Sequence, residues 1–215
     1  MTSPALDIYT WSDLQAFWDC PRAWSYSRAG YRPAELPDPM VRGSLVHAGT
    51  KAHWLGKSVT DALAEVATAA PMEQVKRLLP SARDLIERYV SKYGESVKPI
   101  NADVLYTFPP QDDGKAAGGH PDLVGFAGNK LIVAEHKTAQ NPDIPFLDTM
   151  QQADYYALLY DAQADKRAVD LVYIDVISPE YITRIERPPR REAAAYILYS
   201  LYELMTWTMK QAKES

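Results

Sequence analysis

A mixed β-sheet covered by helices, an α/β or α+β domain, is the fold class that this sequence predicts. Three observations point there. Helical apolar spacing dominates up to residue 98; short alternating and β-branched runs follow between 102 and 135; a helical stretch, the run VDLVYIDVI and a long closing helix come last. The 215 residues suit one domain, 1–215, with a mainly helical part over 1–98 and a sheet core with a C-terminal helix over 99–215.

In chain order, Ser12 is the expected N-cap of a helix through SDLQAFWDC, with Leu14, Phe17 and Trp18 at helical spacing. The proline-rich stretch from Tyr31 to Met40 reads as an extended connection. VRGSLVHAGTKAHWL, from Val41 to Leu55, reads as a helix that places Gly43, Val46, His47 and Thr50 on one side. Another helix is expected within Pro71 to Tyr93, from the spacing of Val75, Leu78, Leu79, Leu85, Ile86 and Tyr89. The period then changes. Ala102 to Phe108 alternates like a strand, QDDGKAAGGH reads as a loop, and the runs Asp122–Phe126 and Leu131–Glu135 form a hairpin around the turn AGN. Leu147 to Ala164 is an expected helix, Val169 to Ile177 a buried strand, Tyr181 to Ile185 a further strand, and Glu192 to Lys213 a closing helix.

Composition narrows the function classes. The formal net charge is −5, so a long duplex footprint gripped by phosphate neutralisation is not indicated, although a local basic groove is compatible with it. Cys20 is the only cysteine, which rules out an internal disulfide, a four-cysteine zinc site or a self-contained iron–sulfur cluster. Any metal must be held mainly by oxygen and imidazole. With no secretory signal pattern and no run long enough to span a membrane, a cytoplasmic protein is expected.

The chemistry-bearing residues gather around the hairpin. Asp122 opens its first strand, and Glu135 and Lys137 end its second, so a turn near Gly128 brings all three side by side. Lys137 follows Glu135 by two residues and shares its face of the strand. Carboxylates at the rim of an apolar sheet are costly to desolvate unless a cation lies between them, and hard oxygen donors suit Mg2+ or Mn2+. An ammonium beside them can orient an attacking water or offset charge on a phosphate. His47, one turn after Gly43, is a candidate additional ligand. Gln152 and Tyr156 share a helix stripe with donors suited to a phosphate or base; Gln151 and Tyr155 show the same spacing. Trp11, Phe17, Trp18, Trp24 and Tyr26 either pack the core or stack on unpaired bases.

Five segments carry a family resemblance: SDLQAFWDCPRAWSYSRAGYRP, RGSLVHAGTKAHW, GGHPDLVGF, LIVAEHKTAQ and QQADYYALLY. Taken in this order, they resemble the motifs of RecB/AddB-type nucleases of the PD-(D/E)XK superfamily. The resemblance implies a restriction-endonuclease-like core and a metal-dependent DNA nuclease, an exonuclease rather than an endonuclease, working on DNA ends in recombination, repair or phage DNA metabolism. It implies a metal, Mg2+ or Mn2+, on His47, Asp122, Glu135 and the backbone carbonyl of His136, with Lys137 as the catalytic lysine. It also settles the register in favour of Gln152 and Tyr156 as DNA contacts. The C-terminal cysteines of cluster-bearing relatives are missing, so no iron–sulfur cluster is expected and Cys20 reads as a remnant or a buried core residue. Asp112 and Asp113 read as loop charges. A homo-oligomer, or a helicase or recombinase on a separate chain, fits such a compact format. The competing class is a nucleic-acid-binding subunit of a recombination complex that has lost activity.

Overall fold

The computed structural model describes residues 6–31, 36–66, 72–163 and 167–214. The chain enters through β1 (Asp7–Tyr9) and α1 (Trp11–Asp19). Thr10, not Ser12, caps α1: its hydroxyl accepts from the Asp13 amide, and Asp13 accepts from the Thr10 amide at 2.9 Å. This reciprocal pair satisfies two orphan donors, which Ser12, already inside the helix, cannot do. Cys20 then caps α2 (Pro21–Arg28), whose Pro21 fits the first turn. Cys20 is exposed, so the expectation of a buried core residue is corrected: its sulfur serves the cap at the surface.

Residues 32–35 of the expected extended connection lie outside the described residues. Its end is already helical, because α3 runs Asp38–Trp54 with Pro39 in its first turn. Next come α4 (Val59–Val66) and α5 (Met72–Tyr93). Gly49 lets α3 approach α5 closely, since a Cβ there would lie 2.3 Å from Ile86.

The stretch expected as one strand over 102–108 divides into β2 (Lys98–Asn101) and β3 (Tyr106–Thr107). Asp103 causes the division. Its backbone takes the left-handed conformation (φ 54°) and its amide bonds to Pro121, turning β2 and β3 into different sheets. The expected loop at 111–120 contains β4 (Lys115–Gly119), parallel to β1 and antiparallel to β3. Small residues make this strand because its neighbours press close, and Cβ atoms at Gly118 and Gly119 would meet Thr107 and Tyr156 within 3 Å.

The hairpin is formed by β5 (Leu123–Ala127) and β6 (Lys130–Thr138), in a register pairing Leu123 with Ala134 and Ala127 with Lys130. Gly128 takes a positive φ in the turn between them. The helix expected over 147–164 is two: α6 (Ile144–Thr149) and α7 (Gln152–Gln163). At the break Met150 is extended and its carbonyl accepts from Arg187 at 3.1 Å, a tertiary partner that outweighs helical propensity. Residue 164 lies outside the described residues. β7 (Leu171–Ile177), β8 (Ile182–Arg187) and α8 (Arg191–Glu214) follow within a few residues of expectation.

One sheet has the order β1-β4-β3 and the other β2-β5-β6-β7-β8, with only β6 and β7 parallel in the larger one. Its central strands β6 and β7 are buried on both faces, whereas the edge strands β2 and β8 are partly exposed. Leu131 and Val133 face α1, α7 and α8, whereas Ile132 and Ala134 face α3 and α5. This is the mixed, helix-covered sheet expected from the sequence. Among the described residues, no helix is long and apolar enough to cross a membrane.

Candidate active site

The sequence-predicted groups meet at one end of the large sheet, between α3 on one face and α7 on the other. Asp122 immediately precedes β5, and Glu135 and Lys137 lie towards the end of β6. His47 reaches in from α3, with Nδ1 at 3.2 Å from Asp122 Oδ1. The other Asp122 oxygen accepts the His136 amide at 2.6 Å, which fixes the carboxylate to the β6 backbone. Lys137 Nζ donates to Glu135 Oε1 at 2.8 Å and to Gln152 Oε1 at 2.5 Å. Gln152 in turn donates to the Tyr156 hydroxyl at 2.9 Å.

The two-residue period of β6 sets this division of labour. Glu135 and Lys137 point to the α7 side, while the His136 imidazole points to the α5 side, within 3.0 Å of the Tyr89 hydroxyl. The register of α7 is also plain. Gln152 and Tyr156 face Lys137, whereas the Tyr155 hydroxyl donates to the Gly118 carbonyl.

Burial makes the electrostatics severe. Glu135 is 4% exposed, and its Oε2 has no hydrogen-bond partner. Burial, followed by the negative charge of Asp122, holds its carboxyl well above the usual range against the opposing pull of Lys137. Burial acts on Asp122 in the same direction, but the charge and hydrogen bond of His47 outweigh it and keep that carboxyl low. Burial alone would lower His47; Asp122 and Glu135 overcome it and push the imidazole up to about 9. His136 is held below its ordinary value, mainly by burial.

The donor set of two carboxylates, an imidazole and a nearby backbone carbonyl is one that a hard divalent cation accepts. The unpartnered Glu135 oxygen is the observation in favour of such an ion. Among the described residues, no three His, Cys, Asp or Glu side chains stand together in a position to hold a metal ion. The carboxylates are turned instead to His47 and Lys137, which carry the compensating charge.

A crevice of about 90 Å3 opens here, lined by His47, Lys51, Asp103, Asp122 and His136. Lys51 and Asp103 form an ion pair at its wall and escaped the sequence reading. For Lys51 a signal existed, since it follows His47 by one helical turn; Asp103 depends on a backbone turn that no pattern announces. Asp112 and Asp113 do not line the crevice, and Asp113 pairs with Lys115. Trp11 and Trp24 are buried, with the Trp24 indole donating to Asp13, so base stacking by Trp24 is ruled out in this arrangement; Trp18 and Tyr26 are exposed.

Gly119 supports the site from β4. A Cβ there would lie 2.5 Å from the Tyr156 ring. Gly119→Ala is therefore expected to cost about 1–3 kcal/mol by overpacking, and to displace the Tyr156–Gln152–Lys137 chain. Urea unfolding checks the first effect. An unchanged midpoint would show that the ring yields freely.

The family model for the PD-(D/E)XK nuclease superfamily matches residues 9–211. No curated protein sequence matches the chain. Among solved structures, the chain is similar to SSO0001, with 16% identity and a TM-score of 0.38 over 90% of this chain and 82% of that one. It is similar also to an alkaline exonuclease, LHK-Exo, from Laribacter hongkongensis, with 19% identity and a TM-score of 0.31 over 78% and 92% of the two chains. The complex of LHK-Exo with dAMP gives 20% identity and a TM-score of 0.31 over 78% and 93%. Likeness this distant carries no argument about the reaction.

Proposed function

The chain belongs to the PD-(D/E)XK nuclease superfamily, and from that premise we propose that it is a Mg2+- or Mn2+-dependent deoxyribonuclease. In this reading it forms one nuclease domain, an exonuclease that hydrolyses phosphodiester bonds at DNA ends in recombination, repair or phage DNA metabolism. The observation that carries the reading is Glu135, a buried carboxylate with one oxygen on Lys137 and the other unpartnered, beside Asp122 and His47. A buried anionic oxygen is costly unless a cation meets it.

Asp122, Glu135, His47 and the His136 carbonyl would hold the ion. When bound, it polarises a phosphate and makes a water acidic enough to attack at neutral pH. The chain's own groups do the positioning. Lys137, held between Glu135 and Gln152, keeps an ammonium where negative charge builds on the phosphate. Gln152 and Tyr156, which the family resemblance assigns to DNA, are buried behind Lys137, and we read them as orienting that ammonium.

The high His47 pKa gives a signed prediction. A metal on this imidazole must displace a proton that the folded protein keeps up to pH about 9. Apparent Mn2+ affinity is therefore expected to rise with pH, by up to about tenfold per unit between 7 and 9 for the His47 proton. The rise should be steeper below about 7, where Glu135 must also give up a proton, and should level off above 9. Calorimetric titration at pH 8 in two buffers of different ionisation enthalpy counts the His47 proton. Affinity independent of pH between 7 and 9 would remove His47 from the ligand set. The activity itself is tested by incubating linear and circular, single- and double-stranded DNA with Mn2+. Digestion confined to linear molecules is expected. Cleavage of closed circles would make the enzyme an endonuclease, and no cleavage of any form would end the proposal.

A further inference from the structure

One row across the five-stranded sheet is polar where its surroundings are apolar. His136 on β6 stands beside Asp175 on β7, and Asp175 stands beside Arg184 on β8. Tyr89 of α5 closes the row: its hydroxyl donates to Asp175 Oδ2 at 2.7 Å and lies 3.0 Å from His136 Nε2. Arg184 grips Asp175 through Nε at 2.6 Å and Nη2 at 2.8 Å. Its guanidinium also packs against the rings of Tyr93 and Tyr173 and donates to Ser96.

Tyr89, His136 and Asp175 are essentially inaccessible to solvent. All other residues of β7 except Tyr173 are aliphatic, and every residue of the strand is buried. A buried ion pair is weak support for stability by itself, because apolar side chains of similar volume often serve as well or better. The row needs a different reason, and its inner end supplies one. The His136 amide holds Asp122 Oδ2 at 2.6 Å, and the His136 ring lies 3.8 Å from the same oxygen. Thr50, which touches the ring at 3.5 Å, donates its hydroxyl proton to the carbonyl of His47. Wherever His136 sits, Asp122 must follow.

We infer that Tyr89, Asp175 and Arg184 are positioning residues for divalent-metal binding. They clamp His136, and through it they fix the backbone at that residue and the Asp122 carboxylate attached to its amide. This rests on the proposed nuclease reading, in which Asp122 and the His136 carbonyl are ligands. Partners that orient ligands from behind commonly change metal affinity by about 10–100-fold when removed.

The test is Tyr89→Phe, which keeps the ring and deletes the hydroxyl, with Mn2+ binding followed by calorimetry on protein shown by circular dichroism to be folded. About tenfold weaker Mn2+ binding is expected. The Mn2+ concentration for half-maximal DNA cleavage should rise by the same factor, with the rate at saturating Mn2+ recovering towards wild type. If Tyr89→Phe does not fold, Asp175→Asn, which keeps the shape and removes the charge, takes its place. Wild-type Mn2+ affinity in a variant that has only lost thermal stability would overturn the inference, leaving the row a structural brace. Wild-type protein that takes up no Mn2+ would be a separate result, removing the nuclease reading and this inference together.

Discussion

Glu135→Ala and Lys137→Ala are each expected to lower metal-dependent DNA cleavage by about two to four orders of magnitude, roughly 3–5 kcal/mol of barrier. The two losses should arise differently. Glu135→Ala removes the buried oxygen that lacks a partner and leaves Lys137 on Gln152 alone. Mn2+ binding should disappear with the activity. Lys137→Ala removes a cation that competes for the same carboxylate. Mn2+ binding should persist or tighten while the rate falls, because the proposed mechanism uses the ammonium in the reaction and not in holding the ion. Calorimetry beside single-turnover cleavage separates the two. Wild-type turnover in both variants would sink the proposed site, and loss of Mn2+ binding in Lys137→Ala would mean that the lysine only supports the fold.

How far the sequence foretold this site follows from where each partner lies in the chain. Asp122, Glu135 and Lys137 are legible because one hairpin with a glycine turn and a two-residue period contains all three. His47 is legible only as a helix residue; its contact with Asp122 crosses 75 positions. The α7 register, open between Gln151 and Gln152 on spacing alone, is set by packing against Lys137. β4 shows the opposite case, where KAAGG has no strand propensity and pairs because β1 and β3 approach closely on both sides. The Tyr89–His136–Asp175 contacts join three separate elements across 47 and 86 positions, so no local pattern foretells them. The break before α7 is of the same kind, because Arg187 on a distant strand takes the Met150 carbonyl.

That same arginine underlies the second large effect. Asp154 is fully buried in α7 and accepts from Arg187 Nη1 at 2.5 Å and Nη2 at 2.9 Å, and from the Arg190 amide at 2.8 Å. Arg187 is itself only 10% exposed in its side chain. Asp154→Ala would remove the carboxylate that accepts two hydrogen bonds from a largely buried guanidinium, and breaking a buried pair from one side typically costs about 3–5 kcal/mol. Asp154→Asn, which keeps an acceptor and loses the charge, should cost less. Urea unfolding measures both, with the alanine variant showing the lower midpoint and an unchanged slope. The consequence reaches the chemistry because Asp154 lies two residues beyond Gln152 on α7, in the turn that also carries Tyr156. A helix start released from β8 no longer holds Gln152 against Lys137. Cleavage by Asp154→Ala should therefore fall even at temperatures where the protein remains folded, and added Mn2+ should not restore it. Full activity in a destabilised but folded Asp154→Ala protein would show that α7 keeps its place without the ion pair, and that Lys137 needs no such support.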